Sequence, residues 1–435
     1  MFELFFKLSG RTAYVLFIAT GLLLLSAFFG KASADEYHYN STIIGERAGG
    51  MGGAYVAVSD DTAGVYYNPA GIVLASGNSV SASENTYLTQ NKVYKGVLGS
   101  NDYQRSSSNI QPNFFGVIQH TPYGSIGVSY VIPNSLLQQQ DQTYWGTSAS
   151  TQSYTYNFNN QLNTYDTGLT YANDATKNLK IGLTLYFHYK TLKTIVNNFE
   201  TDCVNNLTNL NLVNCTANPT TLTSLNQSTY FKDEEYGVRP ILGFLWAPDD
   251  GKYSVGLTLS QTLIYQANQY KQYTSSSGSS LLPVTIKYYG SIPTYPMEVK
   301  VGYAYFPSNA LLLSADVSYY SQTSSDPIVY TWTRIPVMNL AVGAEYFLSP
   351  KFALRTGLYT DNSNVDSAGL AAGALDMVNL YGMALSGTWF TKASSITLGL
   401  NYSQGSGSSN IGGNGINYPL AVSTLNVFLG TSYSY

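Results

Sequence analysis

From residue 78 onward, apolar residues recur at every second position. In Leu179–Lys190, the odd positions are Leu, Ile, Phe and Tyr, whereas most even positions are Lys, Gly, Thr or His. Successive side chains of a strand point to opposite faces, so the pattern predicts strands with one apolar and one polar face. The same alternation recurs at Tyr253–Ser260, Met297–Tyr305, Leu313–Tyr319, Leu340–Tyr346, Phe352–Leu358 and Ile396–Tyr402.

The connections between these segments alternate in length. The segments themselves run for about ten to eighteen residues, whereas soluble strands average about five or six. Tight turns are predicted at Thr121–Gly124, Asn173–Asn178, Ala247–Lys252, Pro307–Ala310, Ser349–Lys351 and Thr391–Ser394. Long polar loops are predicted at 91–109, 135–154, 197–231, 269–292, 322–335, 362–376 and 405–419. Short turns at one end and long loops at the other are typical of bacterial outer-membrane barrels.

These boundaries predict fourteen strands. They are 78–90, 110–121, 125–134, 155–172, 178–196, 232–247, 252–268, 293–306, 310–321, 336–348, 351–361, 377–391, 394–404 and 420–435. An even number places both ends of the barrel on the short-turn side, which is periplasmic. The last strand alternates up to the terminal aromatic Tyr435, which is typical of the signal that the barrel assembly machinery recognises.

Composition supports a membrane barrel. Charged residues are 11% and aromatic residues 14% of the chain, against the quarter or so of charged residues usual in soluble domains. The mean hydropathy of −0.07 excludes a bundle of membrane helices, whereas a barrel is near neutral because alternate residues face a polar lumen. The prediction is an all-β, fourteen-stranded antiparallel transmembrane β-barrel, in which strand pairing satisfies the backbone.

The N-terminus predicts export. Lys7 and Arg11 precede the apolar run Tyr14–Phe29, and Ala32-Ser33-Ala34 matches a small-residue cleavage site, as in a cleaved signal peptide spanning residues 1–34. Its removal takes away three of the 21 basic and one of the 25 acidic residues, so the net charge falls from −4 to −6. That balance disfavours nucleic acid as a partner.

Other chemistry is sparse. Cys203 and Cys215 lie in one polar stretch and are candidates for a disulfide in an oxidising compartment. No spacing of His and Cys residues indicates a metal site, and no motif indicates a cofactor or an enzyme. Pro133 and Pro240 fall inside predicted strands, where each predicts a bulge, a kink or a strand end.

The stretch Gly45–Gly71 precedes the strands and is rich in glycine and alanine. It is too small for a core of its own and must pack against something, for which a barrel lumen is available. Its glycines permit close approach of backbone, and Asn68-Pro69 indicates a turn. A nucleotide-binding loop is disfavoured because neither G-x-G-x-x-G nor G-K-[ST] is complete. We therefore expect residues 35–77 to plug the barrel formed by residues 78–435.

This stretch resembles the N-terminal hatch of the FadL/TodX family of outer-membrane transporters for long-chain fatty acids and other hydrophobic compounds. The resemblance rests on E-R-A-G-G-M-G-G-A at Glu46–Ala54, on Asp60-Asp61, and on Y-Y-N-P-A-G at Tyr66–Gly71. It implies a fourteen-stranded barrel closed by a hatch. The hatch residues it implies are Gly49, Gly50, Gly52, Gly53, Asn68, Pro69 and Ala70.

The resemblance also implies passive uptake in the outer membrane, amid lipid and lipopolysaccharide. A hydrophobic molecule lands on outer loops, enters an apolar pocket and leaves when the hatch shifts, with lateral release through a kinked third strand. By strand order that region is Gly124–Tyr130, so the candidate lateral opening is at Gly124 and Gly127. Loops 197–231 and 269–292 match the family's landing region in position, although packing of the loops on themselves explains their leucines equally well.

Two alternatives stay open. Lys180, Lys190, Lys300 and Arg355 lie on the inward phase of their strands. They either recognise a carboxylate or, as we favour, form a charge network with Glu298, Asp316 and Glu345. The alternative function is a general porin or a surface adhesin.

Overall fold

The structure is a computed structural model. It describes residues 38–98, 101–145, 151–203, 222–249, 251–277, 280–281, 284–324, 333–372, 375–411 and 415–435. These residues belong to one compact unit, Ala32–Tyr435. The predicted signal peptide, residues 1–34, lies outside the described residues.

Strands make up most of the described chain. They are β1 (Ser79–Leu98), β2 (Asn101–Thr121), β3 (Gly124–Trp145), β4 (Thr151–Asp174), β5 (Leu179–Cys203), β6 (Leu222–Trp246), β7 (Tyr253–Gln261), β8 (Leu263–Ser277), β9 (Ser280–Leu281), β10 (Thr285–Tyr289), β11 (Met297–Ser308), β12 (Leu311–Tyr320), β13 (Val337–Ser349), β14 (Phe352–Asp361), β15 (Asp376–Met377), β16 (Leu380–Phe390), β17 (Ser394–Ser409) and β18 (Tyr418–Ser434).

These strands form a closed antiparallel barrel of fourteen wall strands. β7 continues into β8, β15 continues into β16, and the short β9 and β10 pair only with β8. The barrel closes where β1 pairs with β18, from Ser79 opposite Ser434 to Tyr94 opposite Leu420. The predicted strand number is confirmed.

The strands near the N-terminus run far beyond their predicted ends. The stretch 91–109, for which the sequence predicts a loop, is instead mostly the outer end of the β1–β2 hairpin. The predicted loops 135–154, 197–231 and 269–292 also lie largely in strands where the chain is described. Ser, Asn and Gln residues there are polar on both faces, so they lack the apolar alternation by which the sequence marks a strand, yet their backbone ladders continue.

The two faces of the wall differ as the alternation predicts. On β5, Ile181, Leu183 and Leu185 are between 39% and 53% exposed on the outside, whereas Thr184 and His188 are buried on the inside. Large apolar side chains on the outside of a closed wall are typical of barrels that face lipid. The chain is therefore a transmembrane β-barrel.

Two prolines coincide with interruptions in the strand ladders. β6 pairs with β8 up to Val238 and with β7 from Ile241, which leaves Arg239 and Pro240 between the two ladders. On β3, the register with β4 shifts between Val131 and Asn134, next to Pro133. Because proline has no N–H to donate, both interruptions have a local cause, and the sequence prediction is confirmed.

The residues before β1 pack inside the wall. This N-terminal segment, residues 38–77, contains two short α-helices, Glu46–Gly50 and Gly64–Tyr67, and a 3-10 helix, Pro69–Leu74. Its apolar side chains share one core with inward residues of β2, β3, β4, β5, β6, β11 and β12. A third short α-helix, Ser367–Ala372, lies between β14 and β15.

Candidate functional site

Asn68 ties the N-terminal segment to the wall. Its side-chain Nδ2 donates to the Val56 carbonyl oxygen at 2.9 Å and to the Phe244 carbonyl oxygen of β6 at 2.9 Å. Its Oδ1 accepts from the Ala70 backbone N–H at 3.2 Å, and Pro69 begins the 3-10 helix. One buried amide thus caps a helix, closes a turn within the segment and bonds a strand, which explains why asparagine stands here.

The segment's glycines serve two needs. Gly52 and Gly53 have φ angles of +66° and +82°, a region that only glycine adopts without strain. At Gly50, a Cβ atom would lie 3.1 Å from Arg355 Cβ and closer still to Ser386 of β16. At Gly49, it would lie 3.1 Å from the ring of Phe428. Conformation at the first pair and close approach at the second pair therefore exclude larger residues.

The wall contributes matching glycines that the sequence analysis missed. A Cβ atom on Gly182 would lie 2.5 Å from Pro69 C, one on Gly302 would lie 2.8 Å from Ala57 N, and one on Gly343 would lie 2.6 Å from Met51 O. The register brings these glycines together in pairs: Gly182 with Gly243, Gly256 with Gly302, and Gly343 with Gly357. We call these six the wall glycines.

The signal that could have found the wall glycines is a lone glycine on the inward phase of successive strands. Gly182, for example, alternates with the outward Ile181 and Leu183. A single such glycine is common in strands. Only the register shows that the six, which lie on β5, β6, β7, β11, β13 and β14, come together in pairs that face one segment.

Charged groups also join the segment to the wall. Arg47 Nη2 donates to Glu345 Oε2 at 2.6 Å, and Arg355 Nε donates to Glu345 Oε1 at 2.6 Å. Arg47 also pairs with Asp60. On β12, Asp316 Oδ2 accepts hydrogen bonds from the backbone N–H groups of Tyr55 at 2.6 Å and Val56 at 2.8 Å. These contacts tie the segment to β12, β13 and β14 with buried and partly buried polar bonds.

The four inward cations of the sequence analysis all contact carboxylates. Lys300 Nζ lies 2.5 Å from Glu298 Oε1, and Arg355 Nε lies 2.6 Å from Glu345 Oε1, as the predicted charge network requires. The other two have partners that the sequence analysis did not name: Lys180 lies 3.2 Å from Asp174, and Lys190 lies 2.5 Å from Glu235. Asp316 instead binds the segment's backbone.

A cavity of about 400 Å³ lies between the segment and the outer ends of the strands; we call it the upper cavity. Tyr66 of the segment lines it from below, and Leu162, Phe231 and Tyr295 are among its apolar and aromatic walls. Its charged lining consists of Asp166, Lys190, Arg239, Glu298 and Arg334, and the imidazole rings of His38 and His188 also line it. The pocket is therefore amphipathic, whereas the resemblance implies an apolar one.

A second cavity, of about 350 Å³, lies on the short-turn side of the segment; we call it the lower cavity. Glu46 and Arg47 of the segment line it, together with Glu345 and the turn residues Thr391–Ser394. Because both cavities have the segment as a boundary, a molecule passing from one to the other meets that segment.

The upper cavity borders an interruption in the wall. β2 and β3 pair at Phe114–Val131 and next at Ser107–Gln138, so residues 108–113 and 132–137 leave the ladder. Pro133 and Asn134 of this stretch line the cavity. One side-chain hydrogen bond crosses the interruption, from Asn109 Nδ2 to Ser135 Oγ at 3.1 Å. We call this stretch the β2–β3 gap.

The predicted lateral opening at Gly124 and Gly127 does not coincide with this gap. Gly124 pairs with Thr121, and Gly127 pairs with both Ile118 and Thr170 in continuous ladders. Pro112 and Pro133, which lack N–H donors, lie in the gap instead. The positions of the prolines therefore indicate better than those of the two glycines where the pairing of β2 with β3 stops.

The candidate disulfide cannot be placed, because Cys215 lies outside the described residues. Cys203 is the last residue of β5. Along the described ranges, no helix combines the length and the hydropathy needed to cross a membrane.

Glu46 is a buried carboxyl group of the segment whose titration is linked to the seating of the segment. Burial, followed by the negative charge of Asp61, raises its pKa from 4.5 to about 7, and the cations Arg355 and Arg47 oppose this shift. Its Cβ and Cγ atoms pack against Gly430 of β18. The seated segment therefore favours a protonated Glu46.

We expect the seating of the segment to weaken as the pH rises. An exposed Glu46 loses its proton near pH 4.5, whereas the seated group keeps it up to about pH 7. The free energy that favours the seated segment therefore falls between these two pH values, and the decrease is complete above about pH 7. Its size is on the order of 3 kcal/mol. Proteolysis of the segment, measured at pH 5 and pH 8, should rise with pH in the wild type and much less in Glu46→Gln.

Glu84→Gln on β1 is the control for this measurement, since Glu84 lies in the wall and not in the segment. It should retain the wild-type pH dependence. An equal rise in proteolysis for the wild type and Glu46→Gln would contradict the assignment.

Comparison with known proteins shows the fold and no nearer relationship. No protein-family model matches the chain, and no curated protein matches it. Solved structures do match over nearly their whole length.

Three of these structures are of similar size and architecture. The Pseudomonas putida toluene transporter TodX is 13% identical with a TM-score of 0.62, covering 89% of this chain and 97% of that chain. A Pseudomonas aeruginosa FadL homologue is 11% identical with a TM-score of 0.60, covering 91% and 99%. The Ralstonia pickettii toluene transporter TbuX is 13% identical with a TM-score of 0.57, covering 90% and 98%. The chain therefore has the fold of the FadL/TodX-type outer-membrane barrels.

Proposed function

We propose that the protein is an outer-membrane channel for the passive uptake of long-chain fatty acids or other hydrophobic compounds. In this proposal residues 35–77 act as a hatch that gates the lumen. Outer-membrane lipid and lipopolysaccharide surround the barrel, and the barrel assembly machinery inserts it. The protein is a transporter and not an enzyme.

The observation that carries the proposal is the upper cavity beside the β2–β3 gap. A solute that enters from the outer ends of the strands reaches aromatic and apolar side chains, with Tyr66 of the segment below and Pro133 and Asn134 at the side. Burial of hydrocarbon contributes about 0.8 kcal/mol per methylene group. Such a site can capture a hydrophobic solute from water without an energy source.

Two exits from the upper cavity are consistent with this arrangement. The solute passes sideways through the β2–β3 gap into the membrane, or it passes downward to the lower cavity when the segment moves. The segment's contacts with the wall suit a movable part, since many are polar bonds that water can replace. Arg47 to Glu345 and Thr184 to the Val65 carbonyl oxygen, at 2.7 Å, are examples.

A general porin or a surface adhesin is the alternative. An open porin has no use for a segment that six wall glycines accommodate at close approach. The proposal of a transporter is favoured for this reason.

Locking the segment to the wall tests the hatch. The hydroxyl groups of Thr62 in the segment and Ser81 in β1 are in direct hydrogen-bond contact, so two sulfur atoms at these positions lie within reach of a disulfide. In Thr62→Cys/Ser81→Cys, we expect oxidation to lower the uptake of radiolabelled oleate and toluene several-fold, because it closes the downward exit and leaves only the lateral one. Reduction should restore it.

Each single variant serves as a control, because it keeps the native Cys203 and Cys215 but cannot form the new bond. Uptake that is the same in the oxidised and reduced double variant would show that the solute passes without movement of the segment.

A bulky side chain at the gap tests the lateral exit. Asn134 lines the upper cavity beside the β2–β3 gap, whereas Leu192 lines it on β5, whose ladders are continuous on both sides. We expect Asn134→Trp to lower the initial rate of uptake several-fold, with Leu192→Trp much closer to the wild type. Because both variants place a tryptophan side chain in the same cavity, equal losses would indicate a filled cavity and would refute the lateral exit.

A further inference from the structure

His188 places an unused polar atom in the upper cavity. The side chain lies on β5, is 4% exposed and lines the cavity. Its Nδ1 bonds Asp166 Oδ1 at 2.7 Å, whereas its Nε2 has no hydrogen-bond partner among the residues that the structure describes. Buried polar atoms are nearly always hydrogen-bonded, so one at a cavity wall without a protein partner is available to a molecule in the cavity.

The contact with Asp166 decides what Nε2 can do. Asp166 is fully buried and also accepts from Arg239 Nη1 at 3.3 Å. An ionised carboxylate can only accept hydrogen bonds, so the proton of a neutral imidazole is on Nδ1 and Nε2 carries a lone pair. A second buried acceptor without a partner in the described chain, Asn364 Oδ1, also lines the cavity. Both atoms suit a ligand that donates a hydrogen bond.

Aromatic rings line the cavity together with His188 and shape what else the ligand contains. The Tyr295 ring lies edge-on to the imidazole, with 5.9 Å between the ring centroids. The rings of Tyr39 and Tyr320 stack on each other, with 4.3 Å between their centroids. The hydroxyl groups of Tyr295 and Tyr320 donate to Glu235 at 2.6 Å and to Glu298 at 3.1 Å. These hydroxyls are thus occupied, and the rings offer apolar faces and edges to a flat molecule.

Two of the three cations that line the cavity lie against carboxylates, which favours a neutral ligand over a carboxylate. The third, Arg334, lies with its Cζ atom 5.6 Å from the centroid of the Tyr295 ring. Lys190 lies 2.5 Å from Glu235, and Arg239 lies 3.0 Å from Glu298. The positive charges of these two side chains are therefore neutralised within the protein. An anion near Nε2 would also meet the negative charge of Asp166.

We propose that His188 is a specificity-determining residue of the upper cavity, whose Nε2 accepts a hydrogen bond from the hydroxyl group of a phenol-type aromatic compound. Asp166 is its positioning residue. The proposal rests on the proposed uptake of hydrophobic compounds and narrows their class. The volume of about 400 Å³ is in the range of sites for small molecules, about 300–1,000 Å³.

Binding to the full chain in lipid nanodiscs at pH 8 tests this proposal, with empty nanodiscs subtracted. The probes are p-cresol, toluene and 4-methylbenzoate, which share a methylated ring. At this pH a phenol, with a pKa of about 10, is neutral. We expect His188→Phe to weaken p-cresol binding about tenfold, the equivalent of one lost hydrogen bond, and to leave toluene binding unchanged or stronger.

Two further variants separate hydrogen bonding from shape. His188→Gln retains an acceptor and should retain part of the preference for p-cresol. Leu162→Ala enlarges the same cavity without touching the acceptor, so it should change p-cresol and toluene binding by the same factor. Equal changes for both ligands in His188→Phe would overturn the proposal. So would a wild type that binds 4-methylbenzoate more tightly than p-cresol, which would assign the site to a carboxylate.

Nitrogen NMR gives a readout that does not depend on affinity. The chain has three histidines, so selective ¹⁵N labelling gives few resonances. We expect p-cresol, but not toluene, to shift one Nε2 resonance that is missing from His188→Phe. No shift at saturating p-cresol would refute the contact. Because neither experiment requires transport, a protein that passes them but takes up no solute would refute the proposed function alone.

Discussion

Close approach between the backbone of the N-terminal segment and the backbone of the wall is the constraint on which the rest of the structure depends. At Gly182, Gly302 and Gly343, the distance from a hypothetical Cβ atom to the segment would be only 2.5–2.8 Å. Any larger residue would have to displace the segment from the wall. The strands must therefore carry glycine at the height of the segment, and the register must align these glycines.

Close approach of backbone to backbone explains the glycines on both sides, whereas the segment's large side chains, such as Met51, Tyr55 and Ile72, are buried in the core that it shares with the wall. With backbone against backbone, hydrogen bonds and ion pairs supply the specificity. Asn68 bonds β6, Asp316 accepts two N–H groups of the segment, and Arg47 reaches Glu345. Each contact replaces water on both partners, so its net contribution is modest and its removal leaves a buried group unpaired. Such an interface is specific when seated and can exchange with water when it opens.

The segment also divides the lumen chemically. Above it, the cavity combines aromatic rings with paired charges and the acceptor of His188. Below it, the cavity is lined by Glu46, Arg47 and polar turn residues. The β2–β3 gap, which opens beside the upper cavity, is a consequence of two prolines that remove N–H donors from facing strands.

Sequence patterns predicted the wall well, because alternation is local and recurs in every strand. They failed beyond the membrane, where 91–109 is a hairpin whose polar faces carry no alternation. The resemblance to a known family implies the glycines and Asn68 of the segment as hatch residues, and that role stays a prediction. Sequence patterns could not reveal the wall glycines or the His188–Asp166 contact, because each depends on the register between strands. Asp166 and His188 are 22 residues apart and meet only because β4 and β5 pair with that particular offset.

The central claim is that the segment closes the lumen. The most direct measurement is the ionic conductance of the intact chain in a planar lipid bilayer, with a variant lacking Glu46–Gly71 to show that barrels have inserted. The account predicts no steady current for the intact chain and clear conductance steps for the variant. A steady current through the intact chain, equal to that of the variant, would contradict it.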